Sequence, residues 1–360
     1  TVGLPTTGGA ATKLVSRYRE TAIGGAWTTG PESTSVVVGI SGLKPGTQYD
    51  VEIAAANAAG TGPYTGTTGT TTAIEYMLDN LGITALAAYS LRSLRAAYAG
   101  QAIRVRRSSD DAQQDIGLTL YKTLDTASLL AFAGGGSAFV VTWYDQSGNG
   151  RNVTQATAGS QPRIVNAGVL DVTQANQPAI KFGAAGTVTR LAQASNGAIP
   201  VSAAFWTSIC MRQPVTGTSN GGMMIGQADG GLLGIGLGLS AASESTAVRW
   251  IVFGADATPR TSTGGGPLTN GASHSIATNF TNSGPRGGDI WEDGTKRVSG
   301  ATFSGTTQTA TLLSIGGIGT PGSTGVFTGF LTEVIVGAGA LSDANIAAIR
   351  TSQQGAWGAA

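Results

Sequence analysis

Charged residues are scarce in this chain of 360 residues, and that scarcity excludes two kinds of partner. Asp, Glu, Lys and Arg make up 11% of the sequence, against about 25% in an average soluble protein, and the formal net charge is +1. Nucleic acids and anionic membranes attract proteins that carry an excess of positive charge, which is missing here. No stretch approaches the roughly 18 uninterrupted apolar residues of a membrane span either. We therefore predict no nucleic-acid partner and no membrane insertion.

Cysteine and histidine occur once each, which limits covalent and metal chemistry. Cys210 cannot form an intrachain disulfide, and its apolar neighbours indicate a buried, unreactive thiol on a strand. His274, as the single histidine, excludes a multi-histidine metal centre and leaves a Ser-His-Asp triad without support. The sequence thus predicts no cofactor, and we expect a structural role for His274.

Glycine, by contrast, fills 56 positions and divides the second part of the chain into short segments. Apolar residues alternate within these segments, and Asn-Gly and Pro turns separate them, as expected for a two-sheet antiparallel sandwich. Residues 102–360 therefore predict a mainly β domain, which a helix capped by Ser342 closes. The strands predicted here are Ala102–Arg107, Phe139–Tyr144, Ala179–Phe182, Ala204–Met211, Met223–Gly226, Leu232–Leu239, Arg249–Phe253, His274–Thr281, Asp289–Glu292, Ala310–Ile315 and Gly329–Val336.

The first hundred residues divide into three parts. Residues 1–64 carry alternating segments that predict half-buried strands at Lys13–Glu20, Ser35–Ile40 and Gln48–Asn57. Residues 65–73 contain a Gly/Thr stretch without apolar periodicity, Thr65–Thr72, which predicts a linker. Residues 74–101 predict two short helices, Ile74–Leu81 and Ala85–Tyr98, the second with Arg92 and Arg95 in solvent.

The first of these parts resembles a known domain. Leu43–Val51 and Ala54–Gly60 closely resemble the end of a fibronectin type III domain, a β-sandwich of about 90–100 residues. Tyr49 lies where such sandwiches place a corner tyrosine, whose hydroxyl ties a crossover loop to a strand. Since only Thr1–Leu4 remain to stand for the strands before Lys13, the resemblance implies a domain without its N-terminal strands. We expect a longer polypeptide to precede Thr1.

A second resemblance rests on Thr142–Gly150, which reads TWYDQSGNG. Together with Ala87–Gly100, Arg104–Asp111 and Val153–Pro162, this run resembles the catalytic jelly-roll domain of arabinofuranosidase B-type glycosidases. It also resembles laminin-G and concanavalin-like domains that are common in phage tail and fibre proteins. The resemblance spans roughly residues 75–360. It implies a concanavalin-like jelly-roll sandwich with two short helices before it and one terminal helix.

The same resemblance bears on catalysis through two carboxylates. A retaining glycosidase needs one as nucleophile and one as acid/base. In the arabinofuranosidase B-type enzymes the nucleophile is a Glu in a Gly-x-x-Glu-x-x-x-x-Gly setting, and Gly230–Gly238 places Leu233 there. The acid/base Asp of those enzymes follows a Gly-Gly pair, and here Ile318 follows Gly316-Gly317. Because aliphatic side chains cannot transfer a proton, the resemblance implies a chain that binds sugar without cleaving it.

Glycoside hydrolysis stays open as an alternative if the carboxylates lie elsewhere. The acids that occur in turn-like surroundings and remain as replacements are Asp229, Glu244, Asp256, Asp289, Glu292 and Asp293. An enzyme of this kind would act on arabinose-containing or related polymers.

Two groups of residues are candidate binding sites. Sugar sites present a flat aromatic face to the C–H surface of the ring, with charged side chains on the hydroxyls. We predict a glycan site at Trp250, Arg249, Trp291 and Asp293.

The second group lies in the TWYDQSGNG run. Asp145, Ser147 and Asn149 have the alternating oxygen atoms that open a calcium loop, although Ala156 stands where an EF-hand requires an acid. The same residues form Asx-type turns, which we favour, with a single structural Ca²⁺ as the alternative.

The combined features predict a non-enzymatic virion protein of a phage tail, tail tip or fibre. It would be extracellular, bind host surface polysaccharide or decorate the particle, contact other tail proteins and form a homo-oligomer that gains avidity from several copies. A purely architectural subunit that binds no sugar is the other alternative. Substitution at a catalytic acid that abolishes sugar release would favour the hydrolase.

Overall fold

The computed structural model describes residues 9–183, 189–193, 203–213, 223–229, 232–239, 248–253, 259–261, 268–269, 271–281, 286–303, 313–317 and 327–359. It divides into two compact units. Unit 1 comprises Thr1–Glu75 with Leu120–Lys122, and unit 2 comprises Tyr76–Thr119 with Thr123–Ala360. Strands dominate both units, which confirms the predicted mainly β fold. No helix in the described residues has the length and apolar character needed to span a membrane.

Unit 1 contains one antiparallel sheet. Its strands are β1 (Lys13–Glu20), β2 (Thr28–Thr29), β3 (Gln48–Asn57), β4 (Gly60–Thr61) and β5 (Thr65–Thr70). β3 is central: β1 pairs with one of its edges and carries β2, whereas β4 and β5 share the other edge. The predicted strands β1 and β3 are confirmed with their predicted bounds.

The stretch Thr65–Thr72 was predicted as a linker, and this prediction is wrong. Thr65–Thr70 form β5, which pairs with β3 from Ile53–Thr65 to Gln48–Thr70. Every β5 residue is exposed, so the strand has no apolar side chain that would mark it in the sequence. Threonine nevertheless favours extended backbone because it is β-branched, and the ladder supplies the remaining stabilisation.

The predicted strand Ser35–Ile40 is not formed in the described part of unit 1. Val36 and Val37 are 93% and 68% exposed, and the edge of β1 that faces this segment is occupied by β2 and by the bridge between Leu14 and Ser33. Ser35–Ile40 therefore stay outside the sheet, because this segment alternates in sequence but has no free strand edge with which to pair. The predicted tie of Tyr49 to a loop is present, because its buried hydroxyl accepts a hydrogen bond from the backbone N–H of Lys44 at 3.0 Å.

Unit 2 contains the remaining elements. Its helices are α1 (Met77–Asn80), α2 (Thr126–Ala133) and α3 (Asp343–Trp357), with a 3₁₀ turn at Ala158–Ser160. Its strands are β6 (Ala85–Ser90), β7 (Ile103–Arg107), β8 (Gln113–Ile116), β9 (Ala138–Trp143), β10 (Val153–Thr154), β11 (Arg163–Asn166), β12 (Val169–Leu170), β13 (Ile180–Phe182), β14 (Leu191–Gln193), β15 (Phe205–Arg212), β16 (Met223–Asp229), β17 (Leu232–Leu239), β18 (Val248–Phe253), β19 (Pro259–Thr261), β20 (Ser273–Thr281), β21 (Arg286–Glu292), β22 (Thr295–Phe303), β23 (Leu313–Ile315) and β24 (Gly329–Ala338).

These strands form two antiparallel ladders. The first, called here the covered sheet, runs β22-β21-β20-β15-β24, and β6 and β13 share the outer edge of β24. The second runs β19-β18-β17-β16-β23-β14-β10-β9-β7-β8. β11 joins them, because it pairs with β13 of the first ladder and β9 of the second. One apolar core includes residues of both ladders, as in a sandwich.

The covered sheet is buried on both faces. Its inner face contributes Ile209 and Val334 to the core between the ladders. Its outer face packs Trp206 and Ile335 in a second cluster with residues of α1 and α3. Thus α3 lies on a face of the sandwich. Gly337 makes this packing feasible, because a Cβ atom at that position would lie 2.0 Å from the Trp206 ring.

The helix predicted at Ala85–Tyr98 is wrong, since Ala85–Ser90 form strand β6. Residues 87–90 are all fully buried, so the segment lacks the polar face of an amphipathic helix and the alternation of a half-buried strand. Periodicity alone cannot distinguish the two cases. The helix predicted at Ile74–Leu81 exists as the single turn α1, followed by Gly82 with a φ of 61°.

The other predicted strands of unit 2 are confirmed within a few residues at each end, although residues 310–312 of the predicted strand Ala310–Ile315 lie outside the described residues. Leu232–Leu239 agrees at both ends, and the predicted cap of the last helix is also confirmed, because the Ser342 side chain accepts a hydrogen bond from the Asn345 N–H at 3.1 Å. β8, α2 and β22 were not predicted. Cys210 is buried on β15, and burial raises the pKa of its thiol to about 12, which agrees with the predicted unreactive side chain.

Candidate functional site

The loop Asp145–Asn152, which carries most of the TWYDQSGNG run, hydrogen bonds to the free edge of β6. The backbone N–H of Ala88 donates to Asp145 Oδ1 at 2.8 Å, and the Gln146 N–H donates to the Ala88 carbonyl at 2.7 Å. The Asn149 side chain and the Arg151 guanidinium both donate to the Leu86 carbonyl, at 3.0 and 2.9 Å. The loop therefore takes the place of a neighbouring strand, which explains why β6 is extended although it has one strand partner.

The Asp145 carboxylate is saturated by donors from its own loop and from β6. Besides Ala88, Oδ1 accepts from the Ser147 N–H at 2.9 Å, and Oδ2 accepts from the Ser147 hydroxyl and the Arg151 N–H at 2.7 and 2.9 Å. This is the Asx-type turn that the sequence favoured. A calcium ion at Asp145, Ser147 and Asn149 would have to displace these donors. No group of three or more His, Cys, Asp or Glu side chains in the described residues is arranged to hold a metal ion.

A second polar centre lies inside unit 2, around the fully buried Glu333 of β24. Arg92 Nε donates to Glu333 Oε2 at 3.0 Å, and its side chain is only 12% exposed. This position corrects the prediction of a solvated Arg92. The other donors to this carboxylate are the Ser90 hydroxyl at 3.0 Å, Gln353 Nε2 at 3.1 Å and Trp357 Nε1 at 3.3 Å. The network satisfies a buried charge and joins β6, β24 and α3.

The hairpin between β21 and β22 positions one predicted glycan residue, Asp293. Asp293 and Gly294 have φ values of 50° and 77°, the geometry of a two-residue type I′ turn, for which Asp-Gly is a preferred sequence. Asp293 Oδ1 accepts from the Ser275 N–H at 2.9 Å, and Oδ2 lies 2.7 Å from His274 Nδ1. The turn thus binds back onto β20 through its carboxylate.

Both ring nitrogens of His274 have hydrogen-bond partners at this hairpin. Its Nε2 lies 3.1 Å from the Thr269 carbonyl, which only accepts hydrogen bonds, while Nδ1 faces the Asp293 carboxylate. The imidazolium donates to both, so the site favours the protonated ring. Burial acts to lower the pKa of His274, but the bonds to Asp293 and Thr269 and the nearby charges of Asp293 and Glu292 outweigh it and raise that pKa. The predicted structural role of His274 agrees with these contacts.

Trp291 and the acids beside it are also held internally. The Trp291 ring is 5% exposed and packs in the cluster beneath α3, with Lys296 Nζ 4.5 Å from its centroid. Lys296 also pairs with Asp289 at 2.9 Å, and Arg297 lies 3.4 Å from the buried Glu292 carboxylate. Because its ring is buried in these contacts, Trp291 has little exposed surface with which to contact a sugar.

The structure does not bring the four predicted glycan residues to one described site. Arg249 and Trp250 lie on β18, which pairs with β17, but their side chains are outside the described residues. Trp291 and Asp293 lie at the end of β21 in the covered sheet. The predicted glycan site therefore stays a prediction.

The two aliphatic positions that suggested lost catalysis lie outside the described side chains. Leu233 is on β17, and Ile318 follows the last described residue of its segment. The Gly-Gly pair before Ile318 is described. Gly316 has a φ of 86°, and a Cβ atom there would lie 2.0 Å from the Phe182 ring. Packing alone thus accounts for the first glycine of the pair.

Sequence reasoning missed Gln146 and the Arg92–Glu333 pair. Gln146 accepts from the Leu94 N–H at 2.9 Å and donates to the carbonyls of Ser90 and Arg92. A polar residue between Asp145 and Ser147 gives no local signal of burial. A long-range ion pair between residues 241 positions apart gives none either.

Part of the chain matches a family model of known proteins. The family model described as "Alpha-L-arabinofuranosidase B, catalytic" matches residues 78–204. This segment includes β6, the TWYDQSGNG loop and the strands from β7 to β14. No curated protein matches the chain in sequence.

Solved structures show the same fold over a longer stretch. A crystal structure of an arabinofuranosidase complexed with arabinofuranosyl-α-1,2-xylobiose is 17% identical, with a TM-score of 0.59, and the match covers 78% of this chain and 64% of that chain. A GH54 α-L-arabinofuranosidase soaked with a cyclic sulfate inhibitor is 18% identical, with a TM-score of 0.58 and the same coverage. The chain therefore spans somewhat less than two thirds of those enzymes.

These findings correct the prediction that the chain is not an enzyme. That prediction rested on Leu233 and Ile318, both of which lie outside the residues matched by the family model. The family model that matches residues 78–204 is that of a catalytic domain, and this match contradicts the prediction, whereas the two solved structures show the fold.

Proposed function

We propose that this chain is a glycoside hydrolase that removes α-L-arabinofuranosyl groups from a polysaccharide. The observation that carries the proposal is the match of residues 78–204 to the arabinofuranosidase B catalytic model. The sandwich fold, similar to that of two solved arabinofuranosidases, supports it at 17% and 18% identity. The matched segment supplies the frame of unit 2, in which the Asp145 loop fixes β6.

The catalytic carboxylates are proposed among the acids in turn-like surroundings, which are Asp229, Glu244, Asp256, Asp289, Glu292 and Asp293. Asp289 is bonded to Lys296 and to the Gly300 N–H, and Asp293 is bonded to His274 and Ser275. Such internal bonds leave these two poorly suited to attack a sugar as nucleophile or to exchange a proton with it as acid/base. Glu292 is 2% exposed and lies 3.4 Å from Arg297. We therefore assign the reaction to two of the three other acids, Asp229, Glu244 and Asp256.

Purified protein incubated with an aryl α-L-arabinofuranoside, arabinan and arabinoxylan tests the proposal. We expect release of L-arabinose, measured by chromatography. Asp229→Asn, Glu244→Gln and Asp256→Asn each remove one acid at nearly constant volume, and two of them are expected to lower kcat by about 10²–10⁴-fold. Asp289→Asn is the control, since it changes an acid that is already paired with a lysine. A folded chain that releases no arabinose from any of these substrates would contradict the proposal.

The biological setting proposed for this activity is the surface of a phage tail or fibre, outside the cell. There the partners would be a host surface polysaccharide, other tail proteins and further copies of the chain. The tie between Tyr49 and the loop at Lys44 supports a fibronectin type III-like unit 1, a module that suits attachment to other tail components. Antibody labelling of intact particles in the electron microscope tests the location, and sedimentation tests the oligomer. Labelling absent from the tail would contradict this setting.

A further inference from the structure

A cavity of about 380 Å³ opens in unit 2 where the last turn of α3 meets the turn at 173–178. Its volume lies in the range of small-ligand pockets. The lining contains none of the acids discussed above, because it comes from residues 91–92, 123–124, 126, 170, 176–178 and 355–357. All of these residues belong to unit 2 and lie in the described part of the chain.

The cavity wall is held in a fixed shape from two sides. The turn closes through a bond from the Thr173 N–H to the Gln177 carbonyl at 2.7 Å and one from the Gln177 N–H to Thr173 Oγ1 at 3.2 Å. Ala175 packs against the helix end, since a Cβ atom at Gly358 would lie 2.5 Å from the Ala175 Cβ. A ligand would therefore meet a preformed surface.

Arg92 presents donors to the cavity without presenting an uncompensated charge. Its Nε and Nη2 atoms bond to Glu333, and Nη2 also donates to Ser352 Oγ at 3.0 Å. Nη1 forms no hydrogen bond with any described residue, so its two N–H groups are available to a ligand. The buried Glu333 neutralises the guanidinium, and Arg92 is the one charged residue among the described residues that line the cavity.

Amide and hydroxyl groups complete the polar part of the lining. The side-chain amides of Asn176 and Gln177 and the Thr126 hydroxyl make no hydrogen bond to another described residue. Leu170 and Pro178 supply apolar surface beside them. Uncharged donors and acceptors next to a patch of apolar carbon match the hydroxyls and the C–H face of a sugar ring.

We propose that this cavity, whose lining includes none of the acids assigned to hydrolysis, binds a neutral saccharide unit. A cation has no carboxylate to bind in the lining, and an anion gains little from a guanidinium that Glu333 already neutralises. Arg92 Nη1, Gln177 and Thr126 would bind hydroxyls, while Leu170 and Pro178 would face the ring. Such a site would hold a polysaccharide chain near the enzyme between cleavage events, adding to avidity. The inference does not depend on hydrolysis.

Saturation-transfer NMR with the intact chain tests the proposal, using arabinotriose, xylobiose and maltotriose as neutral probes and galacturonate as an anionic probe. We expect at least one neutral probe to bind with millimolar affinity. Added salt should not weaken this binding, because the probe is uncharged. Galacturonate bound in place of all neutral probes, or no binding by any probe, would overturn the proposal.

Gly355 offers a matched pair of variants that separates this cavity from any other sugar site. It lies on α3 in the cavity lining, and a Cβ atom there would meet nothing within 4 Å. Gly355→Phe places a ring in the cavity and is expected to weaken binding at least about tenfold. Gly355→Ala adds only a methyl group, favours the helix and should retain binding. Equal affinity in the two variants would overturn the assignment of the cavity.

Gln177→Ala tests the polar contacts, with the exposed Gln354 of the same region as its control. Loss of one hydrogen bond to a hydroxyl is expected to weaken binding by about threefold to tenfold, whereas Gln354→Ala leaves it unchanged. Thermal unfolding of each variant shows that the fold is retained. The acid-to-amide variants of the hydrolysis test should leave this binding intact, so failure of one proposal is distinguishable from failure of the other.

Discussion

The sheet of unit 1 and the covered sheet of unit 2 each place an arginine beside a glutamate, in opposite surroundings. In unit 1, Arg17 Nε donates to Glu52 at 2.7 Å, and the two side chains are 34% and 25% exposed. In unit 2, Arg92 pairs with Glu333 at 3.0 Å, and the corresponding exposures are 12% and 0%. The two pairs have similar geometry and therefore isolate the effect of burial.

The covered sheet therefore needs a hydrogen-bond partner within the protein for each buried polar group, whereas the unit 1 sheet does not. Water can replace a lost partner for the partly exposed Glu52, whereas Glu333 is fully buried and is bonded by Ser90, Gln353 and Trp357 besides Arg92. Breaking a buried ion pair leaves an uncompensated charge, which is far costlier than the loss of an exposed one. Substitutions at the two sites should therefore differ by several kcal/mol.

Glu333→Gln gives the largest expected effect. The amide keeps the side-chain volume but removes the charge that Arg92 requires and places an NH₂ donor among existing donors. We expect the free energy of unfolding to fall by about 3–5 kcal/mol, measured by urea denaturation. Glu52→Gln is the matched change in unit 1 and should cost less than about 1 kcal/mol. Similar losses at the two positions would show that burial does not distinguish these pairs.

Gly337→Ala tests whether the two sheets also differ in how tightly their side chains pack. The new methyl group would lie 2.0 Å from the Trp206 ring, in a cluster that α3 covers, so the ring or the strand must move. We expect a loss of about 1–3 kcal/mol in the free energy of unfolding.

Gly69→Ala is the unit 1 counterpart, on the exposed strand β5, where a Cβ atom meets nothing within 4 Å. It is expected to be neutral or slightly stabilising. A lower melting temperature for Gly69→Ala than for Gly337→Ala would contradict this view of the two sheets.

The same contrast explains how much of the fold was predictable from the sequence. The strands β1 and β3 alternate in sequence and are only partly buried, and both were predicted. β6 is buried throughout and was predicted as a helix, and β5 is exposed throughout and was predicted as a linker. Where both faces of a strand have the same environment, the period of two disappears from the sequence.

The candidate site was predictable only where its chemistry is local. The turn at Asp145 follows from side chains two residues apart, and Asp293-Gly294 is a recognisable hairpin turn. Glu333 and Arg92 come together through the pairing of β6 with β24, which no local pattern encodes. Leu233 and Ile318, which indicated lost catalysis, lie outside the matched segment, and the match to a catalytic family model contradicts that prediction.

His274 adds a pH-dependent difference between the units, since it lies in the covered sheet. Its pKa is raised in the folded state, so the stabilisation from its bonds is complete below the unfolded pKa of about 6.5 and is lost as the pH rises through the folded value. Between the two pKa values one proton gives a slope of at most about 1.4 kcal/mol per pH unit.

His274→Gln is expected to abolish that slope in denaturation curves recorded from pH 5 to pH 9, a range that brackets the titration of histidine at about pH 6.5. Gln retains a donor for the neighbouring acceptors but does not titrate. An unchanged slope in the variant would assign the pH dependence to another group.

The smallest expected effect belongs to the exposed pair of unit 1. Arg17 also stacks between two aromatic rings, with its Cζ 4.0 Å from the Tyr64 centroid and 4.7 Å from that of Trp27. A double-mutant cycle of Arg17→Ala and Glu52→Ala should give a coupling energy of about 0.2–1 kcal/mol that declines with added salt. The stacking should persist in salt, so Arg17→Ala should remain costlier than Glu52→Ala at high ionic strength. A coupling above about 2 kcal/mol would place this pair with Arg92–Glu333 and remove the distinction between the sheets.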